Sequence, residues 1–284
     1  MTLAPFGTRL TDAVAKHGPL CVGIDPHPSL LSAWGLDRTP AGLERFALTA
    51  VAALAGEVAV VKPQSAFFEA YGSAGVAVLE RVIAESRAAG ALVLLDVKRG
   101  DIGSTMAAYA RAYLSDDSPL AADAITVSPY LGFGSVAPAL DLAAETGRGV
   151  FVLALTSNPE GAQVQHATTA DSATVARTVL RQAAERNVGA APLGGVGVVI
   201  GATVGTLDQE IFAALPGLNG PILAPGFGAQ GAGVADVRAV FGARRAAVLP
   251  SSSRDVLRHG PDQRLLRDAA IRIRDVVEIQ LQWP

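Results

Sequence analysis

The chain has 284 residues and a formal net charge of −3; hydrophobic residues make up 50% of it and charged residues 17%. This length and apolar content fit one large α/β domain and exclude a disordered chain, and the lack of a basic block argues against a nucleic-acid polymer as partner. The one cysteine, Cys21, excludes an internal disulfide, and the N-terminus has no basic segment followed by an apolar run, so we expect a cytoplasmic protein.

Short apolar runs alternate with longer amphipathic segments along the whole chain. The short runs are rich in β-branched residues and predict strands, and the longer segments carry charges at helical spacing and predict helices. The predicted strands span residues 20–24, 58–61, 91–98, 124–127, 149–155, 196–200, 221–224 and 246–249. The predicted helices span residues 41–55, 75–89, 102–114, 136–145, 173–186, 207–215, 233–240 and 262–281.

The order of these segments predicts the fold. Continuous apolar strands are typical of parallel sheets that helices cover on both faces. Eight strand–helix units in succession favour an α/β fold of the closed (β/α)₈ TIM-barrel type, with a doubly wound open sheet as the alternative. No linker or low-complexity segment divides the chain, so we expect residues 1–284 to form a single catalytic domain.

Charged residues follow the first three predicted strands. Asp25 ends the first strand, Lys62 the second, and Asp96 and Lys98 lie at the end of the third, with Asp101 shortly after. Active sites of such barrels lie at the C-terminal ends of the strands, and residues two apart on a strand point to the same side. The pattern therefore favours a charged catalytic centre; a purely structural ion-pair network is the alternative.

The last two predicted strands are followed by a different kind of residue. Residues 225–231 form the glycine-rich segment Pro-Gly-Phe-Gly-Ala-Gln-Gly, and Arg254 follows three serines after the eighth strand. Loops in these positions commonly hold a phosphate through backbone N–H groups, and an arginine adds bidentate contacts to its oxygens. The sequence thus predicts a small phosphorylated metabolite as substrate.

Neither a membrane span nor a metal site is predicted. Residues 188–207 and 211–235 carry no charge, but glycine and proline interrupt both stretches. The four histidines show no metal-ligand spacing.

Residues 96–105, Asp-Val-Lys-Arg-Gly-Asp-Ile-Gly-Ser-Thr, resemble the signature of the orotidine 5′-phosphate decarboxylase family. The core of that signature is Asp-x-Lys-x-x-Asp with a threonine four residues on. The resemblance extends from about Val22 to Arg254 and is closest to the longer bacterial branch of the family. Further matches follow in order at residues 23–25, 62–69, 128–132, 156–159, 201–203 and 225–231.

The resemblance implies decarboxylation of orotidine 5′-monophosphate to uridine 5′-monophosphate (UMP) and CO₂ without a metal or an organic cofactor. By the matched motifs, Lys98 would protonate carbon six and Asp96 would face the leaving carboxylate. Lys62 would hold the carboxylates in register and contact the ribose, and Asp25 would bind a ribose hydroxyl. A lysine between two aspartates should stay charged, which suits a proton donor.

The resemblance also implies binding roles and an assembly. Asp101 and Thr105 would reach into the active site of the partner subunit, so that the active unit would be a homodimer with shared sites. Ser157 would contact the pyrimidine ring. The phosphate would be held by Gly226, Gly228, Gln230 and Arg254.

Two positions depart from the family pattern. Ser128 stands where the longer branch more often has asparagine. Arg254 lies in Ser-Ser-Ser-Arg and not in the Gly-Arg of the shorter branch, so its equivalence to the family's phosphate-binding arginine needs a test.

Two other functions compete with this reading. Mg²⁺-dependent sugar-phosphate enzymes share Asp-x-Lys-x-x-Asp but need a further carboxylate near the end of the first or second strand, where Glu69 is the nearest spare group. A non-catalytic nucleotide-binding protein would keep Gln230 and Arg254 but lose part of the charged set, whereas Asp96, Lys98 and Asp101 are all present.

Overall fold

The structure is a computed structural model, and it describes residues 3–204, 207, 209–228, 233–241 and 247–280. Eight parallel strands form a closed barrel in chain order, with the last strand paired to the first. This closure confirms the predicted TIM barrel and excludes the open sheet. The strands are β1 (Cys21–Ile24), β2 (Val60–Pro63), β3 (Leu92–Arg99), β4 (Ala124–Val127), β5 (Gly149–Leu155), β6 (Val196–Ile200), β7 (Ile222–Pro225) and β8 (Val248–Ser252).

Helices connect the strands and cover the outside of the barrel, and short 3₁₀ turns at Phe133–Val136, Pro159–Gly161 and Leu215–Leu218 supplement them. The α-helices are α1 (Phe6–His17), α2 (Pro28–Ala33), α3 (Pro40–Leu54), α4 (Ser65–Glu69), α5 (Gly72–Ala88), α6 (Gly103–Leu114), α7 (Ala137–Thr146), α8 (Ala162–Gln165), α9 (Val175–Arg186), α10 (Gln209–Ala214), α11 (Val234–Phe241), α12 (Arg254–Leu257) and α13 (Gln263–Gln280).

The observed bounds agree with the predicted ones for β4, β5 and β6 and differ by a few residues elsewhere. β2 and β8 end later than predicted, at Pro63 and Ser252, so Lys62 lies inside its strand. The first residue of the predicted eighth strand and the last residue of the predicted final helix, residues 246 and 281, lie outside the described residues. Five helices were not predicted from the sequence: α1, α2, α4, α8 and α12.

The helix α1 closes the N-terminal end of the barrel. Phe6, Leu10 and Val14 are buried on one face of it, and the Phe6 ring packs edge to face on Phe151 of β5 with 6.1 Å between ring centroids. A Cβ atom at Gly149 would lie 2.4 Å from the Phe6 ring, so only glycine allows this approach. The apolar core thus fills the N-terminal part of the barrel interior and leaves the C-terminal end of the barrel open.

A buried carboxylate fixes α1 to the sheet. Asp123, directly before β4, accepts hydrogen bonds from Nη1 of Arg9 at 2.5 Å and from the backbone N–H of Val93 at 3.0 Å. A buried charge is stable only where it is paired and hydrogen-bonded, and both conditions hold here. The N-terminal end of the barrel therefore serves stability, while the opposite end is free for ligand binding.

Candidate active site

A cavity of about 350 Å³ opens at the C-terminal ends of the strands. Every strand of the barrel except β4 contributes to its wall, directly or through the loop that follows. The cavity brings together seven of the predicted site residues: Asp25, Lys62, Asp96, Lys98, Ser157, Gly226 and Arg254. It also includes residues to which the sequence analysis gave no role, among them Gln64, Thr156, Asn158, Ser251 and Ser253.

Asp96 is the centre of the charged half of the cavity. Its Oδ2 accepts a hydrogen bond from Nζ of Lys62 at 3.1 Å, and its Oδ1 accepts one from Nζ of Lys98 at 2.6 Å. Asp96 and Lys62 are buried, whereas 45% of the Lys98 side chain is exposed to the cavity. The prediction that Asp96 and Lys98 share one space is therefore confirmed, and Lys98 is the more accessible of the two lysines that bind Asp96.

The two buried charges stabilise each other. Burial alone would raise the pKa of Asp96, but the ammonium groups of Lys62 and Lys98 and the hydrogen bonds to the carboxylate outweigh burial and lower that pKa below its usual range. Burial would likewise lower the pKa of Lys62, but the charges of Asp96 and Asp25 outweigh it and raise that pKa. Both groups are ionised at neutral pH.

Two further residues hold Asp96 in place, and the sequence analysis assigned a role to neither. Thr126 of β4 donates its hydroxyl proton to Oδ1 of Asp96 at 2.7 Å, and Nε2 of Gln64 donates to the Asp96 backbone carbonyl at 3.2 Å. Thr126 is the one polar residue of the Ala-Ile-Thr-Val strand, and a single polar residue in an apolar strand is the sequence feature that could have identified it. Gln64 lies within the motif at residues 62–69, two positions after Lys62.

Asp25 lies just past the end of β1, which pairs with the strand of Lys62, and it lines the same cavity. Its Oδ1 is buried and has no hydrogen-bond partner among the described residues; the same holds for the hydroxyl oxygen of Ser253. A buried polar atom left without a partner typically costs about 1–3 kcal/mol. A ligand with hydroxyl groups at this side of the cavity would find groups able to bind it.

Residues 225–227 at the end of β7, together with Ser253 and Arg254 after β8, line another part of the cavity. Gly226 lines the cavity with φ +99°, and Gly228 has φ +84°. A Cβ atom at Gly228 would lie 1.9 Å from Oδ2 of Asp255, and the positive φ itself strains any residue other than glycine at this position. Arg254 is exposed at the cavity rim, and Gly228 does not line the cavity. Gln230 lies outside the described residues.

Asp101 and Thr105 do not line the cavity of their own chain. Oδ1 of Asp101 accepts a hydrogen bond from the backbone N–H of Ile102 at 2.8 Å, and Thr105 is exposed in the first turn of α6. Glu69, the spare carboxylate considered for a metal, binds Nη2 of Arg99 at 2.5 Å and also lies outside the cavity wall.

Within the described part of the chain, no group of three or more His, Cys, Asp or Glu side chains is arranged to hold a metal ion. In that same part, no helix is both long enough and apolar enough to cross a membrane.

Comparison with known proteins agrees with this geometry. The chain is 63% identical to the orotidine 5′-phosphate decarboxylase of Salinispora arenicola over 268 residues, which cover 94% of this chain and 95% of the relative. The crystal structure of a Streptomyces avermitilis protein assigned the same name has 60% identity and a TM-score of 0.93, covering 99% of this chain and 97% of the other.

A more distant relative preserves the same architecture. The structure of Leishmania donovani OMP decarboxylase has 30% identity and a TM-score of 0.75, covering 98% of this chain and 99% of the other. Residues 18–268 match the family described as orotidine 5′-phosphate decarboxylase / HUMPS. That match spans most of the barrel, and the chain therefore belongs to the orotidine 5′-phosphate decarboxylase / HUMPS family.

Proposed function

We propose that this protein decarboxylates orotidine 5′-monophosphate to UMP and CO₂, the last step of de novo pyrimidine nucleotide synthesis. The observation that carries the proposal is the Lys62–Asp96–Lys98 array in a cavity that is also lined by Gly226 of the glycine-rich segment and by Arg254. Relatives at 63% identity over nearly the whole chain bear the name of this activity.

The reaction breaks the bond between carbon six of the pyrimidine and its carboxylate. The electron pair of that bond stays on carbon six, CO₂ leaves, and a proton must be supplied to the same carbon. Lys98 donates that proton from its ammonium group, and before the transfer its charge stabilises the developing carbanion. Fixed positive charge at the site of developing negative charge is commonly the largest contribution to such catalysis.

Asp96 and Lys62 arrange the charges around carbon six. Asp96 faces the departing carboxylate, and its two oxygens are held by Lys62 and Lys98. The low pKa of Asp96 keeps it from competing with Lys98 as the proton donor. Lys62 is buried, so it acts as a fixed cation that holds Asp96 and contacts the ribose.

The remaining contacts hold the nucleotide. Asp25 binds a ribose hydroxyl, and Ser157 contacts the pyrimidine ring. Gly226 and Arg254, which line the cavity, hold the phosphate, and by the resemblance the backbone near Gly228 and the side chain of Gln230 contribute to the same grip. Binding energy from this remote group can lower the chemical barrier when it is used to hold the reacting groups together.

The active unit is a homodimer in which Asp101 and Thr105 complete the partner's site, and we place it in the cytoplasm. Exposed apolar residues beside Asp101 support the assembly: Ile102 is 62% exposed, Tyr130 75% and Leu131 53%. The loops that carry them are joined, since the backbone N–H of residue 128 donates to the carbonyl of residue 99 at 2.8 Å. Large exposed apolar side chains in one area are typical of an interface.

Ultraviolet absorbance tests the reaction directly, because the product absorbs differently from the substrate. Purified protein is mixed with orotidine 5′-monophosphate in excess EDTA. A rapid spectral change is expected and would establish both the reaction and its independence of free metal. No change with a folded dimer would overturn the proposal, and activity that EDTA removes would favour the Mg²⁺-dependent alternative.

A further inference from the structure

The strands β3 and β4 lose their regular pairing at the catalytic end of the barrel. The register shifts between Leu95 and Arg99, so that residues 96–98 of β3 lie opposite Thr126 on β4. Lys98, the last residue of this bulge, has φ +46°, a left-handed conformation that side chains other than glycine rarely adopt. Bulges next to active sites re-aim a side chain at the expense of backbone hydrogen bonds.

The hydroxyl of Thr126 replaces the hydrogen bond that the bulge interrupts. The backbone N–H of Lys98 donates to Oγ1 of Thr126 at 2.9 Å, and that hydroxyl donates to Oδ1 of Asp96 at 2.7 Å. The same Oδ1 accepts the Lys98 ammonium at 2.6 Å. One buried hydroxyl thus holds both the backbone of Lys98 and the carboxylate that receives its side chain.

The direction of these bonds is determined by chemistry. A hydroxyl has one proton, so an Oγ1 that accepts from the Lys98 N–H gives its own proton to Asp96. Thr126 is buried, which excludes water as an easy replacement for either bond. Valine has nearly the same shape but no hydroxyl, and serine keeps the hydroxyl without the methyl group.

We infer that Thr126 is a positioning residue for Lys98: through the Lys98 backbone and the Asp96 carboxylate it sets where the ammonium group lies relative to carbon six of the substrate. The inference rests on the proposed decarboxylation. Substitutions of near-equal volume can separate the effect of the Thr126 hydroxyl from the effect of its packing.

The test compares Thr126→Val, Thr126→Ser and a control, Thr178→Val. Thr178 lies on α9, away from the cavity, and its buried Oγ1 has no hydrogen-bond partner among the described residues. We expect kcat of Thr126→Val to fall about 10- to 100-fold, because misplacing a reacting group by about 1 Å can lower a rate 100-fold. UMP binding should change less than about threefold, and Thr126→Ser and Thr178→Val should keep most of kcat.

Several results would overturn the inference: a kcat of Thr126→Val within about twofold of the parent, an equal loss in Thr126→Ser, or a loss confined to KM and UMP affinity. If Thr126→Val does not fold, Thr126→Ala takes its place, with the same expected fall in kcat. A crystal structure of the variant decides the geometry independently of turnover. Separation of the Lys98 and Asp96 side chains supports the inference and an unchanged pair overturns it, even if the parent proves inactive and the proposed function fails.

Discussion

Removal of Arg254 should weaken nucleotide binding without disturbing the fold. The side chain is exposed at the cavity rim and makes no hydrogen bond or ion pair with any residue that the structure describes. Its loss therefore removes no side-chain hydrogen bond or ion pair among the described residues, and surface substitutions of this kind typically change stability by less than about 0.5 kcal/mol. Any large effect of Arg254→Ala must come from the ligand.

The size of that effect follows from the contacts that a guanidinium makes with a phosphate. Two parallel charge-assisted hydrogen bonds are expected, each contributing about 1.5–3 kcal/mol net where the site is dry. The rim position of Arg254 exposes them to water, so we take about 2–4 kcal/mol for the pair. At 1.36 kcal/mol per factor of ten, kcat/KM should fall about 30- to 900-fold.

The assay measures kcat/KM by absorbance and the Kd of UMP and of uridine by calorimetry. Arg254→Ala should lose affinity for UMP but bind uridine as the parent does, since uridine has no phosphate. Arg258→Ala is the matched control, because Arg258 is exposed on the same segment and pairs with Asp255 at 3.5 Å. Unchanged UMP affinity in Arg254→Ala, or an equal loss for uridine, would refute the assignment of Arg254 to the phosphate.

Three further predictions concern the charged half of the cavity. Lys98→Ala should lower kcat by at least about 1000-fold while UMP binding stays measurable by calorimetry; appreciable remaining turnover would contradict its role as proton donor. Lys98→Ala and Asp101→Ala, each expected to be inactive alone, should recover about a quarter of the parent activity when mixed, because about half of the dimers are then heterodimers and one of the two sites in each heterodimer is intact; no recovery would argue against shared sites. The pKa of Asp96 is lower in the folded state than in the unfolded state. The ionised Asp96 carboxylate therefore makes its full contribution to the unfolding free energy above about pH 4, and this contribution is lost at lower pH. Urea denaturation measures the unfolding free energy of the parent and of Asp96→Asn. The difference between the two should be constant from about pH 5 to 8 and should decrease toward pH 3. A difference that stays constant down to pH 3 would refute the lowered pKa of Asp96.

The strands and the charged residues of the site could be predicted from the sequence. β4, β5 and β6 are short runs of apolar residues that helices cover, interrupted only by Thr126 in β4, so their burial can be predicted from the sequence. Asp25, Lys62 and Asp96 end apolar runs, and strand ends of a closed barrel converge on one cavity.

The features that were not predicted depend on contacts between distant parts of the chain. The apolar face of α1 has one buried large residue per turn, Phe6, Leu10 and Val14, and its partners are barrel residues far along the sequence. Thr126 gains its role only because β3 bulges opposite it, and register is not visible in either strand alone. Local periodicity therefore predicts elements, and tertiary pairing decides which polar residue supports the site.

The charge balance of the cavity links its two halves. Asp25 and Asp96 are matched by Lys62 and Lys98, so these four side chains carry no formal net charge, and Arg254 adds one positive charge at the rim. The proposed substrate brings a carboxylate next to Asp96, whose oxygens already bind both lysines, and the added negative charge opposes binding at this point. Release of neutral CO₂ removes that opposition, while the carbanion left at carbon six faces the Lys98 ammonium. The proposed phosphate contacts at Gly226 and Arg254 must therefore offset this repulsion in the bound state. These contacts then contribute to catalysis as well as to substrate recognition.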